Sequence, residues 1–68
     1  MRVTEAQKRV LAFFRAYEQD NGSPPTLQEC ADFLGCSREN VRQHAAVLRK
    51  KGLMERGSGK ERSWRSRI

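Results

Sequence analysis

Residues 24–52, PPTLQECADFLGCSRENVRQHAAVLRKKG, hold the start and stop signals of two short helices with a tight turn between them. Thr26 and Glu29 have capping-box spacing, in which the hydroxyl takes up one orphan helix N–H and the carboxylate another. Behind them Leu27, Cys30, Ala31 and Leu34 recur at helical spacing on one face. Gly35 then supplies the residue type that most readily adopts a left-handed stop. Ser37 is a natural N-cap for the next helix, which runs to about Lys51 before Gly52. Arg49, Lys50 and Lys51 in its last turn favour the negative end of the helix dipole.

On that later helix Val41, Ala45 and Leu48 share a stripe directed at a core, with His44 on its edge. The opposite face carries Glu39, Gln43, Ala46 and Lys50, flanked by Arg42 and Arg49. These are hydrogen-bonding side chains around one small residue, a composition that lets a helix approach another surface closely. An ordinary solvated helix face has the same polar character, so the pattern alone leaves both readings open.

Charge separates them. The 68 residues carry a net charge of +6, but the two halves differ. Residues 1–35 hold four basic and five acidic side chains, a net of −1, whereas residues 36–68 hold ten basic and three acidic, a net of +7. A field segregated in this way gathers phosphates through counterion release, and a pI near 10.2 agrees. Two capped helices and a tight turn, with the charge on the second helix and beyond, form a helix-turn-helix signature that implies double-stranded DNA, although the charge by itself fits RNA or an acidic lipid surface equally well. No apolar run approaches spanning length and no signal-peptide core follows Met1, so a membrane partner is disfavoured and a cytoplasmic location is expected.

Upstream, Thr4 and Gln7 open a first helix over about residues 5–20, with Ala6, Val10, Phe13, Phe14 and Tyr17 on its apolar stripe. Asn21-Gly22 ends it, and Ser23-Pro24-Pro25 forces an extended, stiff connection. Downstream, residues 53–56 and 61–68 read as two strands around a glycine-containing turn, Gly57-Ser58-Gly59-Lys60. Alternation places Trp64, Ser66 and Ile68 on one side of this hairpin and Arg65 and Arg67 on the other. Trp64 is expected to seal the hairpin against the helices; stacking on a nucleotide base is the alternative. The expected fold is mainly α with a small β-hairpin, a winged helix-turn-helix of three helices and a two-stranded wing, in one domain spanning 1–68.

Cys30, Cys36 and His44 are too few for a zinc finger and lack a CxxC pair, so no metal or other cofactor is expected. Cys30 falls on an apolar helix face as a small hydrophobe, and Cys36 fills the turn. No nucleophile or acidic pair is arranged with His44, so neither an enzyme nor a small-molecule substrate is expected.

Taken together, Thr4, Gln7 and Val10, then Gly22-x-Pro24-Pro25-Thr26-x-x-Glu29-x-Ala31-x-x-Leu34-Gly35, then His44, Leu48 and Lys51-Gly52-Leu53-Met54-Glu55-Arg56, resemble the N-terminal DNA-binding domain of LexA-type SOS repressors. The resemblance covers nearly the whole chain. It implies a bacterial or phage transcription regulator, a repressor that occludes a promoter, with the third helix in the major groove and the wing on the backbone. It also implies base contacts from the start and exposed face of that helix, here Ser37, Arg38, Glu39, Asn40, Arg42 and Gln43. Two features differ from the family. The turn between Gly35 and Val41 is one residue shorter, and the sequence ends at Ile68, where LexA-type proteins continue into a linker and a self-cleaving Ser-Lys peptidase domain. A stand-alone binder and a fragment are both compatible with that end.

Side-chain chemistry fits these roles. Arg38 and Arg42 suit guanine O6 and N7, Gln43 suits adenine N6 and N7, and Ser37 and Asn40 suit either base or phosphate. Glu39 either accepts from cytosine N4 or favours the helix N-terminus. Thr26, Arg49, Lys50, Arg56, Lys60, Arg62 and Arg65 are expected on phosphates, where they add affinity without sequence information. One such module buries only about 600–1,000 Å² on DNA, so a homodimer or a partner protein is expected to assist. A protein-interaction adaptor on the same fold is the alternative.

Overall fold

A computed structural model describes residues 3–57 and 64–67 of the chain. Its elements are α1 (Glu5–Asn21), α2 (Leu27–Leu34), α3 (Arg38–Lys50), β1 (Met54–Arg56) and β2 (Trp64–Ser66). This is the expected winged helix-turn-helix, three helices followed by a two-stranded antiparallel hairpin.

Side chains start each helix. Thr4 accepts from the Gln7 N–H at 3.2 Å while the Gln7 side chain accepts from the Thr4 N–H. Thr26 and Glu29 repeat the arrangement at 3.0 and 2.8 Å, and Ser37 accepts from the Asn40 N–H at 3.1 Å. Each cap satisfies donors that the first helical turn leaves without partners. α1 runs one residue past its expected end, through Asn21, whose side-chain amide donates to the Tyr17 carbonyl.

Left-handed glycines end the helices. Beyond α3, Gly52 (φ 78°) donates to the Arg49 carbonyl and Leu53 to the Leu48 carbonyl, the paired bonds of a Schellman motif. This turn aims the chain from the end of α3 straight into β1. Beyond α2, Gly35 (φ 71°) has the same hand, and Cys36 donates to the Ala31 carbonyl at 3.0 Å, fixing the turn that leads into α3.

One core joins all five elements: Val10 and Phe14 of α1, Cys30 and Ala31 of α2, Val41, Ala45 and Leu48 of α3, Met54 of β1 and Trp64 of β2. Pro25, in the stiff connection, is also fully buried. The strands pair with Met54 opposite Ser66, Glu55 opposite Arg65 and Arg56 opposite Trp64. β1 packs on α3 and β2 on α1, so the wing is fastened to the helices from both sides.

Four expectations for the core need correction. Ala6 is exposed and Gln7 is buried in its place, because the Gln7 Oε1 is satisfied by the Thr4 N–H and the Lys51 ammonium, the latter at 3.2 Å. Phe13 and Tyr17 are only half-buried, since α1 turns Phe14 fully inward and carries those two along its flank. Ala46, assigned to the exposed face of α3, is half-buried and packs against the core cluster. Trp64 seals the wing as expected, and with 6% of its surface accessible its ring is not presented for stacking on a base.

Candidate nucleic-acid interface

The amphipathic pattern of α3 decides which side chains leave the protein. With Val41, Ala45 and Leu48 at no measurable exposure, the rotation of the helix is fixed, and Arg38, Glu39, Asn40, Arg42, Gln43, Arg49 and Lys50 are all exposed. Helical spacing distributes them over three strips. Glu39, Gln43 and Lys50 lie opposite the core stripe. Arg38, Arg42 and Arg49 follow one flank, and Asn40 lies on the other flank beside half-buried His44. Asn40 and His44 line a groove of about 420 Å³ between α3 and α1, together with Glu5, Arg9, Leu34 and Cys36. Ser37 is exposed at the mouth of the helix, with its hydroxyl oxygen already accepting from Asn40.

Within this surface two side chains are tied together. The Arg42 guanidinium donates from Nε to Glu39 Oε1 at 3.1 Å and from Nη2 to Glu39 Oε2, and both side chains remain more than half exposed. Arg42 holds the Glu39 carboxyl below the usual carboxylate range, mainly through this hydrogen bonding, and is itself pushed further up by it. The pair occupies one edge of the guanidinium. The Nη1 and remaining Nη2 hydrogens form a second edge with two parallel donors on a side chain that is more than half exposed.

The wing adds cations, but with partners of their own. The Arg56 guanidinium lies 5.6 Å from the centroid of the Trp64 ring, its cross-strand neighbour, within cation–π range. The Arg65 Nε donates to Glu18 Oε2 on α1 at 3.2 Å, with Nη2 on the same oxygen at 2.5 Å. Arg65 also stands opposite Glu55 in the hairpin register. The wing guanidinium therefore clamps β2 to α1, a partnership between residues 47 apart in sequence that local pattern does not reveal. Lys60 and Arg62, also expected on phosphates, lie outside the described residues, as do the tip of the turn and Ile68.

Thr26 is half-buried at the start of α2 and spends its hydroxyl oxygen on the cap. Glu29, its capping partner, also accepts from the Tyr17 hydroxyl at 3.3 Å, so one carboxylate both caps α2 and docks it on α1. Among the described residues no group of three or more metal-ligating side chains comes together, and no helix is long and apolar enough to cross a membrane.

The geometry thus leaves Arg38, Glu39, Arg42 and Gln43 exposed on the outer and one flanking strip of α3, places Asn40 on the other flank towards a groove, and engages Glu39 and Arg65 in ion pairs. Comparison with known proteins agrees with the architecture. A family model described as the LexA DNA binding domain matches residues 1–63. The chain is 36% identical over 63 residues to the LexA repressor of Thermotoga petrophila, covering 93% of this chain and 32% of that protein. It is 37% identical over 62 residues to the LexA repressor of Geotalea uraniireducens, covering 90% and 31%. The match to the LexA repressor of Leptospira interrogans is 31% over 61 residues, covering 90% and 30%. The chain spans about a third of the length of the curated relatives it matches. On the family match over residues 1–63, the chain belongs to the LexA DNA-binding domain family.

Proposed function

We propose that this chain binds double-stranded DNA sequence-specifically and regulates transcription, as a repressor that occludes a promoter, with α3 in the major groove and the wing along the adjacent backbone. The observation that carries this reading is the outward face of α3, where six expected base readers or phosphate ligands, Arg38, Glu39, Arg42, Gln43, Arg49 and Lys50, project from a helix whose other side is locked into the core. A helix held that rigidly needs no backbone ordering on binding, so only the rotamers of its exposed side chains remain to be fixed, which favours specific readout.

In this reading Arg42 is held in place by Glu39 and offers its free edge to a guanine, while Gln43 addresses an adenine. Arg38, Ser37 and Asn40 complete the contacts at the start of the helix. Arg49, Lys50, Arg56, Lys60 and Arg62 engage phosphates, and Arg65 joins them when a phosphate displaces Glu18. Thr26 contributes at the start of α2, where the helix N-terminus favours a phosphate.

Selection of binding sites from a random duplex pool tests the reading. Enrichment of one defined motif, bound more tightly than a scrambled duplex by about a thousandfold or more, is expected. Recovery of unenriched sequences, with affinity that depends on salt alone, would reduce the protein to a non-specific polycation.

A further inference from the structure

The flank of α1 that faces away from the core carries an apolar patch that DNA binding through α3 leaves unused. Phe33 on α2 is 72% exposed, the one large apolar side chain so exposed among the described residues. Its ring lies 4.7 Å from that of Phe13, which in turn contacts Tyr17 at 5.8 Å. Phe13, Phe33, Ala12, Ala16, Arg9 and Leu34 border a groove of about 480 Å³. Along the same strip of α1, at intervals of four, three and four, stand Arg9, Phe13, Ala16 and Asp20. Arg9, Ala12, Ala16 and Asp20 are exposed, and the side chains of Arg9 and Asp20 make no hydrogen bond or ion pair among the described residues.

The order of residues on this strip is its own complement when reversed. A cation stands at one end and a carboxylate at the other, about 16 Å apart at the rise of an α-helix, with a large residue and a small one between them. Laid antiparallel on an identical strip, Arg9 of each copy meets Asp20 of the other, and each Phe13 meets an Ala16. In a two-fold interface residue i touches j and j touches i, so this one pattern satisfies both ends at once. Phe33 of each copy then closes over the small side chains of the opposing α1, which removes its exposed ring from water.

We infer that the Arg9–Phe13–Ala16–Asp20 strip of α1, with Phe33, is a self-association surface that pairs antiparallel with the same strip on a second copy of this chain. The contact area of two helices this short falls below a standard interface of about 800 Å² per partner, so the pairing is weak and transient.

Sedimentation equilibrium of the 68-residue chain from about 10 µM to 1 mM tests it. The wild type is expected to dimerise within that range. R9D and D20R, each placing like charges opposite one another at both ends, are expected to weaken dimerisation about tenfold or more, and R9D/D20R to restore it. F33S is expected to weaken it comparably. All these positions are exposed, and unchanged far-UV circular dichroism checks that each variant is folded. A strict monomer at 1 mM overturns the inference. So does dimerisation that survives R9D and F33S, or a double swap that fails to restore what the single swaps remove, and either result would assign the patch to a different protein or leave it solvated. The experiment contains no DNA, so its outcome is separate from that of the DNA-binding proposal.

Discussion

Arg42 grips Glu39 one turn earlier on α3, with Nε and Nη2 shared over the two carboxylate oxygens. The pair lies on the face assigned to base recognition, so its charge state matters for binding. The Glu39 carboxyl is held below its ordinary range, chiefly by the hydrogen bond from Arg42. A group with a lowered value in the folded state is ionised and paired above the ordinary carboxylate range, and the pairing is lost as pH falls through the lowered value. Following the Glu39 carboxyl carbon by NMR should give a midpoint below that of an unpaired glutamate, and Arg42→Ala should move that midpoint upward. An unmoved midpoint would mean that the two side chains do not pair in solution.

Glu39→Gln should separate the two tasks of the pair. It removes a negative charge from a surface that faces phosphates and releases Arg42 from its buttress. Affinity for scrambled duplexes should rise by about threefold to tenfold, while the preference for the selected site narrows. Titration of both duplexes at two salt concentrations measures each effect.

The Arg65–Glu18 clamp makes a second electrostatic prediction. Glu18→Gln frees the Arg65 guanidinium for a phosphate at the expense of the tie between β2 and α1. The slope of log K against log salt should steepen by about one unit, equally for specific and scrambled duplexes. An unchanged slope would confine Arg65 to a structural role in the wing.

The two cysteines should behave differently. Cys30 is fully buried and its thiol is pushed up to about 12 by burial, with a smaller contribution from Cys36, whereas Cys36 is exposed in the turn. Iodoacetamide at pH 8 should label one thiol per native chain, at Cys36, and two after denaturation, as read by mass spectrometry. Because the Cys30 value is raised, its contribution to stability is complete below about 8.5 and is lost as pH rises towards about 12. The denaturation midpoint should fall over that window, and less steeply in Cys30→Ala.

Phe14 is the largest side chain fully enclosed by the core. Phe14→Ala should cost about 3–5 kcal/mol, comparable to the whole stability that a core of this size supplies. Far-UV circular dichroism at 25 °C should show a largely unfolded chain.

Local chemistry made the helices legible. Thr4 with Gln7, Thr26 with Glu29, and Ser37 mark three starts that the structure places where the spacing puts them, and Gly22, Gly35 and Gly52 all take the left-handed stop. Periodicity likewise identified the core stripe of α3, because Val41, Ala45 and Leu48 have no other face to share. The partners of polar side chains were not legible. Gln7 is buried by a bond from Lys51, and Arg65 is held by Glu18, both across long stretches of chain. Glu39 and Arg42 are only three apart, yet spacing alone gives each a separate role and only the geometry joins them. Helical spacing puts Phe33 beside the apolar face of α2, and nothing local signals that packing leaves it open.

Whether the exposed face of α3 reads base sequence is decided by titrating the wild type and Arg42→Ala on a selected duplex and on its scrambled counterpart under the same salt conditions. Base reading by Arg42 entails a loss of roughly tenfold or more for Arg42→Ala on the selected duplex, with little change on the scrambled one beyond that of a single lost charge. Equal losses on both duplexes would contradict it and leave Arg42 as one more phosphate contact.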